Sequence, residues 1–326
     1  MCFLAFGERI MNEKLIVSTS PHIQSRRGIG SIMGNVLIAL IPAIAAATWI
    51  FGLRALVLIA ISVCSAMLFE HLWCVLSKKQ TTIFDGSAAV TGVLLALTLP
   101  VSVEWYIPLV GAFFAIIVAK CLFGGLGNNF INPALAGRAF LLASYSLPMT
   151  TWVAPFSYQG GAVDAVTYAT PLKLLKAGET VNISYLDMLF GNMGGSMGEV
   201  CAVALIIGFI YLLATKIIRP HITISYVATV ALLGWIFGYQ GLMTGDPLTS
   251  VLTGGVLLGG IFMLTDYTTS PTTGLGNVIA GILAGALTIF IRVKGGYPEG
   301  VCYSILFMNI LAPQIDKLIL PKKYGA

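Results

Sequence analysis

The chain has 326 residues, 57% of them hydrophobic and 10% charged, with a net charge of +5. A soluble domain carries about 25% charged residues, so this composition excludes an ordinary soluble globular protein and predicts a polytopic membrane protein. The positive charge does not point to nucleic acid, because lysine and arginine in a membrane protein gather at cytoplasmic helix ends.

In chain order, residues 1–28 form a charged N-terminal segment. "MCFLAFGERI" is too short in its apolar run to read as a cleavable signal peptide, and Met11 opens a second candidate start, "MNEKLIVSTSPH". Ten hydrophobic segments follow, at roughly 32–51, 55–76, 87–99, 105–122, 132–148, 199–215, 222–239, 250–265, 274–292 and 299–314. The third, fifth, eighth and tenth are short or interrupted by glycine and proline. One long linker, about 149–196, separates the fifth span from the sixth, and residues 317–326 form a polar tail. The six cysteines make no CxxC or Cys/His ligand spacing and read as small hydrophobes.

The halves 29–148 and 197–316 resemble each other. "GSIMGNV" (30–36) opens the first span and "GGSMGEV" (194–200) the sixth. "DGSAAVTGVLL" (85–95) opens the third and "DPLTSVLTGGVLL" (246–258) the eighth. Pairing Gly124-Gly125 with Gly295-Gly296 keeps five spans in each half. Five is odd, so two such repeats insert with opposite orientation. The fold class predicted is therefore all-α, with about ten transmembrane helices in two inverted five-helix repeats. Inverted repeats place ligand sites at broken helices in matching positions. The two broken helices start after Asp85 and Asp246. Their early polar residues, Ser87 and Thr91 in one and Thr253 in the other, make each start a candidate site for a hydrogen-bond-accepting ligand.

With the N-terminus inside, twelve lysines and arginines fall on the inner side and five on the outer, and Arg138 falls within the fifth span. The positive-inside rule then predicts both termini cytoplasmic and the long linker outside. Other polar residues read more plainly. Glu70-His71 reads as an interfacial helix end rather than a proton relay. Arg138 either contacts an anionic group or pairs structurally. Asn128, Asn129 and Asn132 either meet a ligand or cap helices. Asp266 with its threonines reads as an exposed loop.

The long linker contains "DAVTYAT", Asp164 to Thr170. It resembles the D-x-x-[ST]-G-A-T flavinylation motif of membrane respiratory complexes, with Tyr168 where the motif has glycine. In that motif the final threonine takes FMN through a phosphoester bond. The resemblance puts the flavin on Thr170, with Asp164, Thr167 and Ala169 as the other motif positions. The chemistry asks for a free hydroxyl, a small neighbour and an exposed backbone, and Pro171 holds the preceding residue extended.

Further stretches, "SPHIQSRRG", "FDGSAAVTGVLLALTLP", "GGLGNNFINPALAGRAF", "ATPLKLL", "MLTDYTTSPTT" and "GGYPEGVCYSILFMNILAPQID", complete a likeness over roughly 18–321. The chain resembles the D subunit of Rnf electron-transport complexes, which is similar to the B subunit of sodium-pumping NADH:quinone oxidoreductase. The resemblance implies an enzyme subunit that relays electrons between ferredoxin and NAD, coupled to Na⁺ or H⁺ translocation in the cell membrane. It implies covalent FMN, a second, noncovalent flavin such as riboflavin, an FMN transferase, and partner subunits of the A, B, C, E and G types. The competing reading is a solute channel of urea-transporter-like fold, since a fold does not fix a function.

Overall fold

A computed structural model describes residues 28–79, 81–159, 169–179, 183–238, 241–296 and 299–320. Among these the structure is helical, apart from one two-residue antiparallel pair, Phe237–Gly238 with Gly241–Leu242. The first half holds α1 (Ile29–Phe51), α2 (Leu53–Leu76), α3 (Ser87–Leu97), α4 (Tyr106–Phe113, continued by a π-helix over Phe114–Cys121) and α5 (Pro133–Ser144). Two short helices in the linker are α6 (Pro171–Lys176) and α7 (Tyr185–Phe190). The second half holds α8 (Ala202–Ala214), α9 (Pro220–Ile236), α10 (Pro247–Leu252), α11 (Val256–Leu258, continued by a π-helix over Gly259–Met263), α12 (Gly274–Lys294) and α13 (Val301–Leu318).

Three of these helices, α1, α2 and α12, are long and apolar enough to cross a membrane by themselves. At 1.5 Å per residue the 21 residues of α12 reach about 31 Å, the thickness of a hydrocarbon core. The other segments are shorter, as expected where helices stop inside the protein. Exposed Leu53, Trp49, Leu76, Phe290 and Ile210 cover the outside. A soluble protein would hide such residues, and a lipid-facing surface favours them. The chain is a membrane protein of all-α class.

The two halves run in opposite directions. The loop that ends α4 meets the loop that leads into α12, where Asn129 Nδ2 donates to Thr268 Oγ1 at 3.0 Å. Asp316, near the end of α13, accepts from Thr272 N at 3.0 Å on the same face. On the opposite face, Arg54 in the first turn of α2 donates to the carbonyls of Ser102 and Val103, just ahead of α4. Lys176 on that face donates to the Gly295 carbonyl at the end of α12. Thus α4 ends on the face where α12 begins.

The first helices of the halves pack together: Tyr211 Oη on α8 donates to Asn35 Oδ1 on α1 at 2.8 Å. Both broken helices stop in the interior. The end of α3 is met by a turn from the other half, where Met197 N donates to Leu99 O at 3.0 Å and Gly198 N to Leu97 O at 2.7 Å. Unwound backbone survives at membrane depth only when protein satisfies it. A Cβ at Gly198 would come within 2.6 Å of the Leu97 side chain, so only glycine permits this approach. The second break lies at Gly254 and Gly255, whose φ angles of 70° and 72° suit glycine.

Candidate functional site

The last threonine of the "DAVTYAT" stretch, Thr170, begins a helix. Thr170 is extended (φ −67°, ψ 152°), caps α6 and accepts from Lys173 N at 3.3 Å, with Pro171 at the first helical position. Asp164 and Thr167 lie outside the described residues, while Ala169 and Thr170 lie within them. The expected open hydroxyl is not what the fold presents: Thr170 is only 5% exposed. The reason is where α6 docks, with Leu172 against the Gly254 break and Lys176 donating to the Gly295 carbonyl. Leu172, also buried, packs toward the glycine break beside Arg292.

One turn further on, Lys173, Lys176 and Ala177 line a cavity of about 460 Å³. Its other walls include Arg138, Trp152 and Glu299. Cofactor-sized ligands occupy ~300–1,000 Å³ and need a few placed polar groups. Three cations and an indole suit a phosphorylated aromatic ligand. Arg138 forms an ion pair with Glu299, which realises the structural reading of that arginine while keeping it on the cavity wall.

The Asp246 and Thr253 positions belong to the neighbouring broken helix and do not line this cavity. Asp246 caps α10, accepting from Leu248 N at 3.1 Å, Thr249 N at 3.2 Å and the Thr249 hydroxyl. Its carboxylate spends the helix's free N–H groups, so this N-terminus is closed to a ligand. Asp246 also raises the phenol pKa of exposed Tyr185 by its negative charge. Thr253 is buried and donates to Thr249 O at 2.5 Å.

On the opposite face, Asp85 Oδ1 accepts from Ser87 Oγ at 2.9 Å and from Ser87 N at 3.3 Å. Gly86, at φ 75°, makes the turn into α3. Thr91 Oγ1 donates to Ser87 O at 3.0 Å. Ser87 and Thr91 line a second cavity with Lys120, Asn129, Asn132 and Asp266, but its volume is about 80 Å³. The lining fits a flavin's hydrogen-bonding edge; the closed volume does not hold the ring. Asn132 caps α5, accepting from Ala134 N at 3.0 Å. Asp266, read as an exposed loop residue, is partly buried and accepts from Thr268. Desolvation pushes its carboxyl above the ordinary range.

Two buried cations were not apparent from sequence as such. Lys120 is 1% exposed and donates to Glu70 Oε1 at 2.8 Å and to Ser87 Oγ at 2.7 Å. Arg292, also 1% exposed, donates to Ser250 O at 2.6 Å, Thr253 O at 2.8 Å and Gly254 O at 3.3 Å. Each closes the fourth span of its half and grips that half's broken helix. Glu70 is therefore no interfacial helix end: it is buried and ion-paired, because Lys120 brings the compensating charge. Lys120 stands four residues before Gly124 and Arg292 three before Gly295. The glycine-pair alignment held the signal that could have found them. Among the described residues no three His, Cys, Asp or Glu gather to hold a metal ion.

A profile of the NQR2, RnfD, RnfE family matches residues 16–325. The chain belongs to this family. It is 48% identical, over 97% of both chains, to the D subunit of the Na⁺-translocating ferredoxin:NAD⁺ oxidoreductase complex of Acetobacterium woodii. It is 42% identical to the D subunit of the proton-translocating ferredoxin:NAD⁺ oxidoreductase complex of Clostridium ljungdahlii, covering 95% of this chain and 96% of that one. It is 36% identical to the D subunit of the ion-translocating oxidoreductase complex of Escherichia fergusonii, covering 95% and 98%.

Proposed function

We propose that the chain is the D-type flavin subunit of a membrane-bound, ion-translocating ferredoxin:NAD⁺ oxidoreductase complex. Relatives at 48% and 42% identity over nearly the whole chain carry that activity in their names, which favours it over the solute-channel reading. Those two names differ in the ion, Na⁺ in one and protons in the other. Partner subunits of the A, B, C, E and G types complete the complex.

Thr170 carries FMN through a phosphoester to its hydroxyl, added by an FMN transferase. The observation that carries this reading is that Thr170 starts the helix whose lysines line the 460 Å³ cavity. Lys173, Lys176 and Arg138 suit the phosphate, and Trp152 the ring. Bound there, the flavin supplies one- and two-electron redox chemistry, while this chain's residues position it and exclude water. Riboflavin binds without a covalent link near Ser87 and Thr91, once the smaller cavity widens. The two cavities lie near opposite faces, and a hydrocarbon core of ~30 Å is too wide for one fast electron hop. Both termini are cytoplasmic and the 149–196 linker is outside.

The test is in-gel flavin fluorescence of the chain from cells that contain the transferase. Thr170→Ala abolishes it while the protein still inserts. Fluorescence that survives in Thr170→Ala but is lost in Thr167→Ala moves the attachment to the earlier threonine.

A further inference from the structure

One large cavity has no part in the flavin assignment. It measures about 400 Å³ and lies between the turn that joins α8 to α9, the loop that leads into α12, and the first turns of α9 and α12. Its walls include Lys216, Arg219 and Ser270, backed by buried Ile217, Ile218 and Ile222. Through Ile217 and Thr265 it shares a wall with the smaller cavity beside α3. It sits at the membrane surface. Both α9 and α12 start here, and Ile224 and Leu275 in their early turns are already exposed, as lipid-facing residues are.

Lys216 and Arg219 are both exposed, and among the described residues neither forms an ion pair. The acids nearby are engaged elsewhere. Asp316 accepts from Thr272 N at 3.0 Å and from the Thr272 hydroxyl at 3.1 Å. Asp266 accepts from Thr268 and lines the smaller cavity. Lys317 follows Asp316, and His221 stands in the first turn of α9. With His221 neutral, Lys216, Arg219 and Lys317 against Asp266 and Asp316 leave one positive charge in excess. A cation that only marks the inner end of a helix projects into water. These two instead wall a cavity with an apolar back. Arg219 starts α9 without a side-chain cap, so the free N–H groups of that turn add to the positive potential. Cations beside a pocket between membrane helices, at the membrane surface, are the setting in which lipid phosphates bind.

We propose that this cavity is a phosphate-binding site, in which Lys216 and Arg219 grip the phosphate of an anionic lipid headgroup or of a soluble phosphate. The planar guanidinium suits two phosphate oxygens and the ammonium a third. The site needs only the membrane fold and stands apart from the flavin on Thr170.

The test uses the purified whole complex with Lys216→Asn and Arg219→Gln combined. Asparagine suits the left-handed backbone at position 216, where φ is 53°. Phospholipids extracted from wild type and variant are quantified by mass spectrometry. Anionic phospholipid per chain that falls about tenfold (~1.4 kcal/mol) in the variant, and returns when the pair is Lys216→Arg with Arg219→Lys, assigns the site to a lipid headgroup. Unchanged lipid assigns it to a soluble phosphate if inorganic phosphate, against chloride at equal ionic strength, raises the unfolding temperature of the wild type and not of the variant. Lipid content and phosphate response equal in the two overturn the proposal. In that case a partner subunit lost from the variant would give the cations to an acidic protein surface, and lost riboflavin would give the cavity to the neighbouring flavin site. In-gel flavin fluorescence of the same preparations reports separately on Thr170.

Discussion

Lys120 and Arg292 occupy matching places in the two halves, each at the end of the fourth span and each bound to that half's broken helix. Their chemistry differs in an instructive way. Lys120 faces a carboxylate, Glu70, at 2.8 Å. Arg292 instead gathers carbonyls of Ser250, Thr253 and Gly254, the negative end of α10. A planar guanidinium reaches three acceptors from one position, which a lysine ammonium does not match.

Replacing Lys120 by Met leaves Glu70 buried without its partner. Such a loss costs about 3–5 kcal/mol, so thermal unfolding in detergent moves to markedly lower temperature. Glu70→Gln in the same chain recovers part of the loss. Equal stability in the single and double variants would show that the pair is not coupled.

Arg292→Lys keeps the charge and loses the fork. The glycine break next to Leu172 loosens, and with it the seat of α6. The expected outcome is weaker flavin fluorescence stability on mild proteolysis of the 149–196 linker, with the chain still inserted. Wild-type protease resistance would place the break's stability elsewhere.

On the proposed function Thr170 both caps α6 and carries the flavin. Thr170→Ser keeps the hydroxyl and the cap, and the chain remains flavinylated. Thr170→Ala loses both, with about 1 kcal/mol of cap stability. Because the hydroxyl is buried in the folded chain, attachment precedes the docking of α6 or requires its release. Transferase added to already assembled, flavin-free complex therefore modifies it slowly, and modifies it faster under mild denaturant. Rapid labelling of the native form would contradict a buried acceptor.

Bulky replacements at Ser87 and Thr91 fill a cavity of only about 80 Å³. Acid-extractable riboflavin then disappears while the covalent flavin stays. The measurement is chromatography of the extracted flavin against in-gel fluorescence. Unchanged riboflavin content would move the noncovalent site away from α3.

The side of the linker is open to a labelling test. Gly178, at φ 81°, is strained by any substitution, so exposed Glu179 is the better position. Glu179→Cys in a chain without native cysteines reacts with an impermeant thiol reagent in intact cells. Reaction only in inverted vesicles would reverse the orientation.

Much of this architecture was legible in the residues. Hydropathy located the spans, and "DGSAAVTG" against "DPLTSVLTGG" located both broken helices, because a short polar start on an apolar helix is visible at the level of composition. The break at Thr253–Gly255 and the caps of Asp246 and Asn132 follow from local rules. The Glu70–Lys120 pair does not: its members are 50 residues apart, and each alone looks like an interfacial charge. Arg138 and Glu299, 161 residues apart, pair for the same nonlocal reason. Thr170's burial likewise depends on where α6 docks.

The central claim is a flavin on Thr170, and the most direct measurement is mass spectrometry of the tryptic fragment 139–173 from the native complex. The account predicts an FMN phosphoester localised by fragmentation to Thr170. An unmodified fragment from a complex that is active in ferredoxin:NAD⁺ electron transfer, or a flavin localised to another residue, would contradict it.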